Sequence, residues 1–433
     1  MRTIAGLAKK LQRLLGKRAE ELGRETGFVQ RRSKMTGSKF SQAMVLGWLA
    51  KPDGSLTELS QTAASLGVEV TAQGIDERFG PASAELLRRL LMEGVEEAMQ
   101  AEAAPIPILQ RFRGVDLLDS SVIVLPDALA ELWPGCGPTT GRAALKVMVE
   151  WDWLSGRMDL RLLPGRTNDQ NNDLATRVPS AGRLRIGDVG FFNLKHFRRM
   201  NEADAYWLSR LKAGTALFAD PQAQPISITL LLREASTDEV ETTLWLGQDS
   251  RVRCRLFARH LSQSLADERL RKLRYEAQRE GKTLSADQMT LACWSVLVTN
   301  VPEPLLSLTE AFVLYRVRWQ LELLFKLWKS EARLDVSRST NPWRILTEIF
   351  AKLLGVLIQH WFFLIGCWHC RFRSLTKAAQ TIRKFTFALA LAFSHPSLFP
   401  LIVSCIRSVL STSCRLNPRR THPNTCQRLL ALA

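Results

Sequence analysis

The strongest alternation of apolar and polar positions lies between Leu314 and Lys329, "LYRVRWQLELLFKLWK". Leu314, Val317, Leu321, Leu324 and Trp328 recur at helical spacing and make one apolar side. Tyr315, Arg318, Glu322, Lys326 and Lys329 fall within roughly 80° of one another at about 100° per residue. The pattern predicts one continuous helix, buried along one side, with a polar stripe built around a lone acid. Glu322 four residues before Lys326 supports a helix by about 0.2–0.5 kcal/mol, so the stripe alone also suits an ordinary amphipathic helix.

Elsewhere the period marks out the remaining elements. Residues 1 to about 105 read as helical, with Ser55 and Glu58 as a capping box, a turn at Gly67, and a second helix from Thr71 stopped by Gly80 and Pro81. Two short helices around such a turn fit a helix-turn-helix and a helical bundle alike. From about 110 the period shortens. "GVDLLDSSVIVLP" is a strand ending near Asp119, and "AALKVMVEWDWLSGRMDLRLLPG" is a hairpin turning at Ser155 and Gly156. "AGRLRIGDVGFF" is a strand ending at Asp188, followed by a helix in "NLKHFRRMNEAD" and a strand in "AYWLSRLK". Residues 213–300 read as strand-rich, through "ISITLLLR", "VETTLWLG", "RVRCRLFARHL" and "LACWSVLVTNV", around a charged helix at 266–281. Ser307 and Glu310 cap the Glu322 helix, and Asn341-Pro342 opens the next one. The order implies an α/β sheet with an inserted β-rich piece.

Charge changes this picture. The 59 Lys and Arg exceed 42 Asp and Glu, a net charge of +17, which favours an anionic partner, nucleic acid above all. No acid follows Glu348, whereas eleven Lys or Arg lie between Lys352 and Arg428, the last of them around "RLNPRRTHPNT". The eight cysteines are scattered, and the single C-x-x-C, Cys367 and Cys370, has no second pair at zinc-ribbon spacing, so buried free thiols and a reduced, cytoplasmic setting are expected. The basic amphipathic start has no secretory h-region. The apolar runs from Leu353 to Trp368 and from Phe385 to Cys405 are short or Pro-broken and read as buried helices, not membrane spans.

The acids then stand out. Phosphoryl transfer with two metal ions needs carboxylates converging on ions about 4 Å apart, placed at strand ends or on an inward helix face. Asp119 is followed by Ser120 and Ser121, which leave room for a bulky ligand; Asp188 is followed closely by Gly190; Glu322 sits on the polar stripe. Each Asp alone would pass for a turn or cap residue.

Tyr315, Arg318, Glu322 and Lys329, with two, three and six residues between them, resemble the tyrosine–arginine–glutamate–lysine signature of the IS-four family of bacterial insertion-sequence DDE transposases. "LLDSSVIVLP" resembles that family's first aspartate motif, and "IGDVGFF" its second, with Phe191 in place of Tyr. "TAQGIDERF" and "WSVLVTNVP" are similar to further segments, so the resemblance spans roughly residues 40 to 370. It implies a ribonuclease-H-like catalytic core interrupted by a mostly β insertion, with helical N- and C-terminal regions. The implied division is a helical DNA-binding region at 1–105, core at 106–212, insertion at 213–300, core again at 301–370 and a basic C-terminal region at 371–433. It further implies that Asp119, Asp188 and Glu322 hold two Mg²⁺ ions, with Mn²⁺ as a substitute, and that Tyr315, Arg318 and Lys329 bind phosphates near the cleaved end. Asp116, on the same strand, is the rival of Asp119; the motif, with its small polar residues after the acid, favours Asp119. Trp294, 28 residues before Glu322, stands where relatives that form hairpin ends stack a flipped base, though a strand Trp also belongs in a core.

The implied activity is a transposase that cuts its own terminal inverted repeats out of double-stranded DNA and joins them to target DNA, as a homodimer and without a membrane. A DNA-binding relative without chemistry would have lost an acid, and all three are present. Another ribonuclease-H-like nuclease would lack the helix signature. A membrane-surface protein would account for the charge but not the acids.

Overall fold

The computed structural model describes residues 4–137 and 141–432. They form two compact units, one of Met1–Ile106, Ser120–Thr167 and Gln320–Gln427, the other of Pro107–Asp119, Asn168–Trp319 and Arg428–Ala433. The chain passes between them directly after Asp119, inside strand β1 (Gly114–Leu125), and again after Trp319, at the start of the helix Trp319–Ser330.

In the first unit the end of β1 is followed by β2 (Pro134–Gly137), β3 (Gly141–Asp152) and β4 (Met158–Pro164), in the order β2-β3-β1 with β4 paired to β3. The expected hairpin is there: Val149 faces Leu160, and the turn runs through Gly156 at φ +74°. A Cβ at Gly156 would meet the side chains of Leu364 and Trp368 at 2.3 and 3.0 Å, so both backbone and space require glycine. Around this sheet the unit is helical, as the N-terminal pattern predicts. Ser55 and Glu58 form their capping box at the head of Leu56–Ser65, and Asn341 caps Pro342–Cys367 with Pro342 in the first turn. Pro342–Cys367 is the central helix, packed against Gly37–Ala50, Pro81–Glu96 and Phe399–Ser413. It is apolar enough to span a membrane by composition, yet it is almost wholly buried within the unit. Cys367 and Cys370 are buried free thiols.

Glu348 and Lys352 form a buried ion pair on that helix at 2.7 Å, and Lys352 also donates to the carbonyls of Arg333 and Val336. The pair thereby anchors the segment that follows Trp319–Ser330.

In the second unit β1 pairs in parallel with β5 (Arg183–Gly187), and β5 in parallel with β6 (Tyr206–Arg210). The chain then adds β7 (Leu217–Phe218), β8 (Pro225–Ile226), β9 (Glu239–Leu246), β10 (Val252–His260) and β11 (Trp294–Thr299). β11 lies antiparallel to β6, and the order continues β10-β9-β7-β8. One core joins the insertion to the parallel strands: Phe197 stacks flat on Trp207 at 4.1 Å, in a cluster that reaches Leu244, Leu256 and Trp294.

Several expectations need correcting. "ISITLLLR" is not a strand but the helix Ile228–Arg233, capped by Ser227; Ile228 and Leu232 are buried at helical spacing while Leu230 faces out. The strand expected over "LACWSVLVTNV" begins only at Trp294, because Ser285 and Gln288 box-cap a helix running to Cys293. Gly80 and Pro81 open the helix Pro81–Glu96, whereas the helix capped by Thr71 has already ended at Asp76. Phe385 to Cys405 is not a buried run: the helices Thr386–Ser394 and Phe399–Ser413 leave Phe387 and Leu401 exposed. The Glu322 helix is broken too, since Leu308–Tyr315 and Trp319–Ser330 are joined by a 3₁₀ turn, Arg316–Arg318.

Removing one member of a buried pair strands the other, which predicts that Glu348→Ala lowers unfolding free energy by roughly 3–5 kcal/mol. The double change Glu348→Leu with Lys352→Met is expected to recover only part of this in urea titrations, because two carbonyls then lose their donor. Equal stability of the single variant and the wild type would show that the pair anchors nothing.

Candidate active site

The parallel pairing of β1 with β5 runs from Gly114 opposite Arg183 to Leu118 opposite Gly187. Asp119 and Asp188 are the next residues on the two strands, so the register brings both to one level just beyond the paired stretch. Asp119 is therefore not at the end of its strand but at the middle of β1, and the parallel ladder ends there. Asp188 leads into the 3₁₀ turn Val189–Phe191. Both side chains keep access to solvent, 22% for Asp119 and 44% for Asp188.

Arg318 faces both. Arg318 Nη1 lies 3.8 Å from Asp119 Oδ2 and 3.9 Å from Asp188 Oδ2. Tyr315 points the same way, its hydroxyl 3.5 Å from both the Gly187 carbonyl and Asp188 Oδ1, and the Arg318 guanidinium lies 6.0 Å from its ring centre. Burial pushes the Tyr315 phenol well above its usual range, the Asp188 carboxylate adds to the rise, and Arg318 and Arg210 oppose it. The phenol is thus a neutral hydrogen-bonding group at any ordinary pH.

Asp116 has a different environment. It is 3% exposed, and Arg183 grips both of its carboxylate oxygens, with Nε at 2.9 Å from Oδ2. That is the geometry of a structural pair.

Glu322 belongs to the first unit, in the first turn of Trp319–Ser330, half-buried, with Lys326 and Lys329 exposed further along. The apolar side of that helix is buried as its pattern predicts, through Leu321, Leu324 and Trp328. Lys329 Nζ lies 3.5 Å from the carbonyl of Val122, three residues beyond Asp119 on β1. Among the described residues no three His, Cys, Asp or Glu side chains make a ready metal cluster. The two aspartates nonetheless suit a hard divalent cation, since their oxygens converge on one positive group.

Trp294 is 9% exposed and meets His260 edge-on at 4.9 Å. It lines a cleft of about 480 Å³ together with Val189, the residue after Asp188, and with Arg210, Arg269 and Lys272. Burial and the nearby Arg210 lower the Arg269 guanidinium from its ordinary value. These three cations are absent from the sequence-based site. Arg269 and Lys272 lie on one side of Gln263–Arg279, three residues apart, but that helix is rich in charge all round, and only the fold singles them out.

Residues 111–358 match the family described as Transposase DDE domain. Over 365 residues the chain is 27% identical to the transposase for insertion sequence element IS231B of Bacillus thuringiensis subsp. berliner, covering 78% of this chain and 75% of that one. It is 19% identical to the transposase for insertion sequence element IS1151 of Clostridium perfringens over 367 residues, 78% and 76% of the two chains. A shorter stretch of 187 residues is 32% identical to the putative transposase InsL for insertion sequence element IS186A of Escherichia coli (strain K12), covering 41% and 50%.

The two aspartates of β1 are expected to differ in what they do for the fold. Asp116→Ala leaves Arg183 without its carboxylate and should cost roughly 3 kcal/mol, at the low end for a buried pair because Arg183 keeps some solvent contact. Asp119→Ala relieves a like-charge pair and should stay within about 0.5 kcal/mol of the wild type. Thermal and urea unfolding of both variants checks this; a larger loss for Asp119→Ala would make it the structural acid.

Proposed function

The chain belongs to the DDE transposases, matched over more than half its length, and from that premise we propose that Asp119, Asp188 and Glu322 are its catalytic carboxylates. It is a DNA transposase of the IS-four type, an enzyme acting on DNA. The observation that carries the residue assignment is the convergence of Asp119 and Asp188, level in register, on Arg318. The parallel strands β1, β5 and β6, with the β3–β4 hairpin following β1 in sequence, support a ribonuclease-H-like core.

The family works with a divalent metal, and here Asp119, Asp188 and Glu322 would hold two Mg²⁺ ions, or Mn²⁺ in their place. Bound there, such ions would supply Lewis acidity for phosphoryl transfer at a DNA phosphate. The chain's own groups do the rest. Arg318 offsets the charge of two facing carboxylates and, with Tyr315 and Lys329, holds phosphate at the cleaved end. The neutral Tyr315 phenol donates a hydrogen bond without adding charge. Trp294, in a cleft rich in cations beside Val189, offers its ring for a base drawn out of the duplex to stack on, and Arg210, Arg269 and Lys272 hold the adjoining backbone. We read the substrates as the element's terminal inverted repeats and a target duplex, held by a homodimer in the cytoplasm at the nucleoid.

Asp119→Ala, Asp188→Ala and Glu322→Ala are each expected to abolish Mg²⁺-dependent strand cleavage while retarding terminal-repeat DNA as the wild type does. Near-normal cleavage by the Glu322 variant in a gel assay would remove that residue from the site.

If the ends pass through a hairpin, Trp294→Ala should leave the first nick intact and slow the second step about 10- to 100-fold, matching roughly 1–3 kcal/mol of stacking. Trp294→Phe keeps a ring and should recover most of that rate. Equal slowing of both steps, or simple loss of folded protein in both variants, would assign Trp294 to the core alone.

A further inference from the structure

In the first unit, Arg373 is 8% exposed and has no carboxylate partner among the described residues. Its Nη1 donates to the Trp368 carbonyl at 2.9 Å, and its plane rests 3.8 Å from the Trp368 ring. Its Nη2 finds no acceptor, nor do the buried indole nitrogens of Trp151 and Trp153. Burial lowers the Arg373 pKa to about 10, which leaves it charged at neutral pH.

Arg373, Trp151 and Trp153 line one cavity of about 360 Å³. No Asp or Glu lines it, and its rim carries Lys326 of the Glu322 helix and Arg419 of the "RLNPRRTHPNT" segment. The walls are fixed, since Ser374 N–H donates to the Cys414 carbonyl at 2.8 Å and Leu416 N–H to that of Phe372 at 3.1 Å. A buried cation without a counter-ion, beside two unsatisfied donors, is unfavourable unless something rich in acceptors fills the space. An oxyanion would offer acceptors to donors of this kind, and the cavity has room for more than the anion alone.

We propose that this cavity is a phosphate-binding pocket, separate from the carboxylate site, that takes a backbone phosphate of DNA. Only the source of the phosphate rests on the transposase reading; the oxyanion chemistry does not. The pocket assigns a task to the acid-free C-terminal stretch: Arg419 and Lys326 admit the backbone, and Arg373 with the two indoles holds one phosphate.

The test uses the full chain without metal. Inorganic phosphate, compared with chloride at equal ionic strength, is expected to raise the melting temperature of the wild type. Trp153→Phe removes one N–H and keeps the ring, and should weaken phosphate binding about tenfold by calorimetry. Lys326→Met and Arg419→Gln, both at exposed positions, should each flatten the logarithmic salt dependence of duplex binding by about one unit. No stabilisation by phosphate over chloride would overturn the pocket. Stabilisation with unchanged salt slopes in both rim variants would overturn the DNA assignment in favour of a free anion. Failure of the wild type to bind any duplex would instead count against the transposase reading, because the inorganic phosphate measurement does not depend on it.

Discussion

The parallel register of β1 on β5 is the constraint from which the site follows. Side chains alternate along a strand, so a slip by one residue would turn Asp119 away and bring a neighbour into its place. Two features hold the register. Leu117 and Leu118 opposite Ile186 and Gly187 are buried, and Asp116 is locked to Arg183 on the neighbouring strand. The paired acid thus fixes the register of the acid proposed as catalytic, three residues further along. The two aspartates of the β1 motif thus differ in setting: Asp116 is desolvated and paired with Arg183, whereas Asp119 stands just beyond the parallel ladder, facing Arg318 and partly exposed.

Placing two carboxylates at one level costs free energy through repulsion, and the fold answers with Arg318 between them. The helical break at Arg316–Arg318 bears on this. A 3₁₀ turn advances about 120° per residue, so Arg318 leaves the helical row that the sequence pattern predicts. Arg318 then serves the aspartates of its own unit, while Glu322 begins the next helix. An unbroken helix would have kept all five polar residues in one row.

How much of this could be read beforehand depended on how local the determinant was. Capping boxes at Ser55 and Ser307, the N-cap at Asn341 and the Gly156 turn were legible because each is settled within a few residues. "ISITLLLR" misled because β-branched composition outweighed one capping serine, and only burial of Ile228 and Leu232 against the insertion core selects the helix. The carboxylates were legible as motifs, and the motif favoured Asp119 over Asp116; what was not legible is the pairing that buries Asp116, which rests on an arginine 67 residues away in sequence. Arg210, Arg269 and Lys272 were invisible for the same reason, being brought into one cleft from a strand and a separate helix.

The scarcity of acids toward the C-terminus shapes how the protein keeps charge inside. With no Asp or Glu after Glu348, a cation in that stretch either reaches back to an earlier acid, as Arg383 does to Glu331 at 3.2 Å, or uses other partners. Lys352 takes the last available acid and two carbonyls. Arg373 takes a carbonyl and the face of Trp368, and Lys10 lies over Trp361 at 3.9 Å while donating to the Glu97 carbonyl. Burial brings the Lys10 pKa down to about 7, close to the point at which the side chain gives up its proton instead of its solvent. Carbonyls and rings stabilise a cation without cancelling its charge. A protein that meets a polyanion can therefore bury basic groups in its core and still present a positive field outward, whereas pairing each with a carboxylate would have neutralised the surface that DNA must reach.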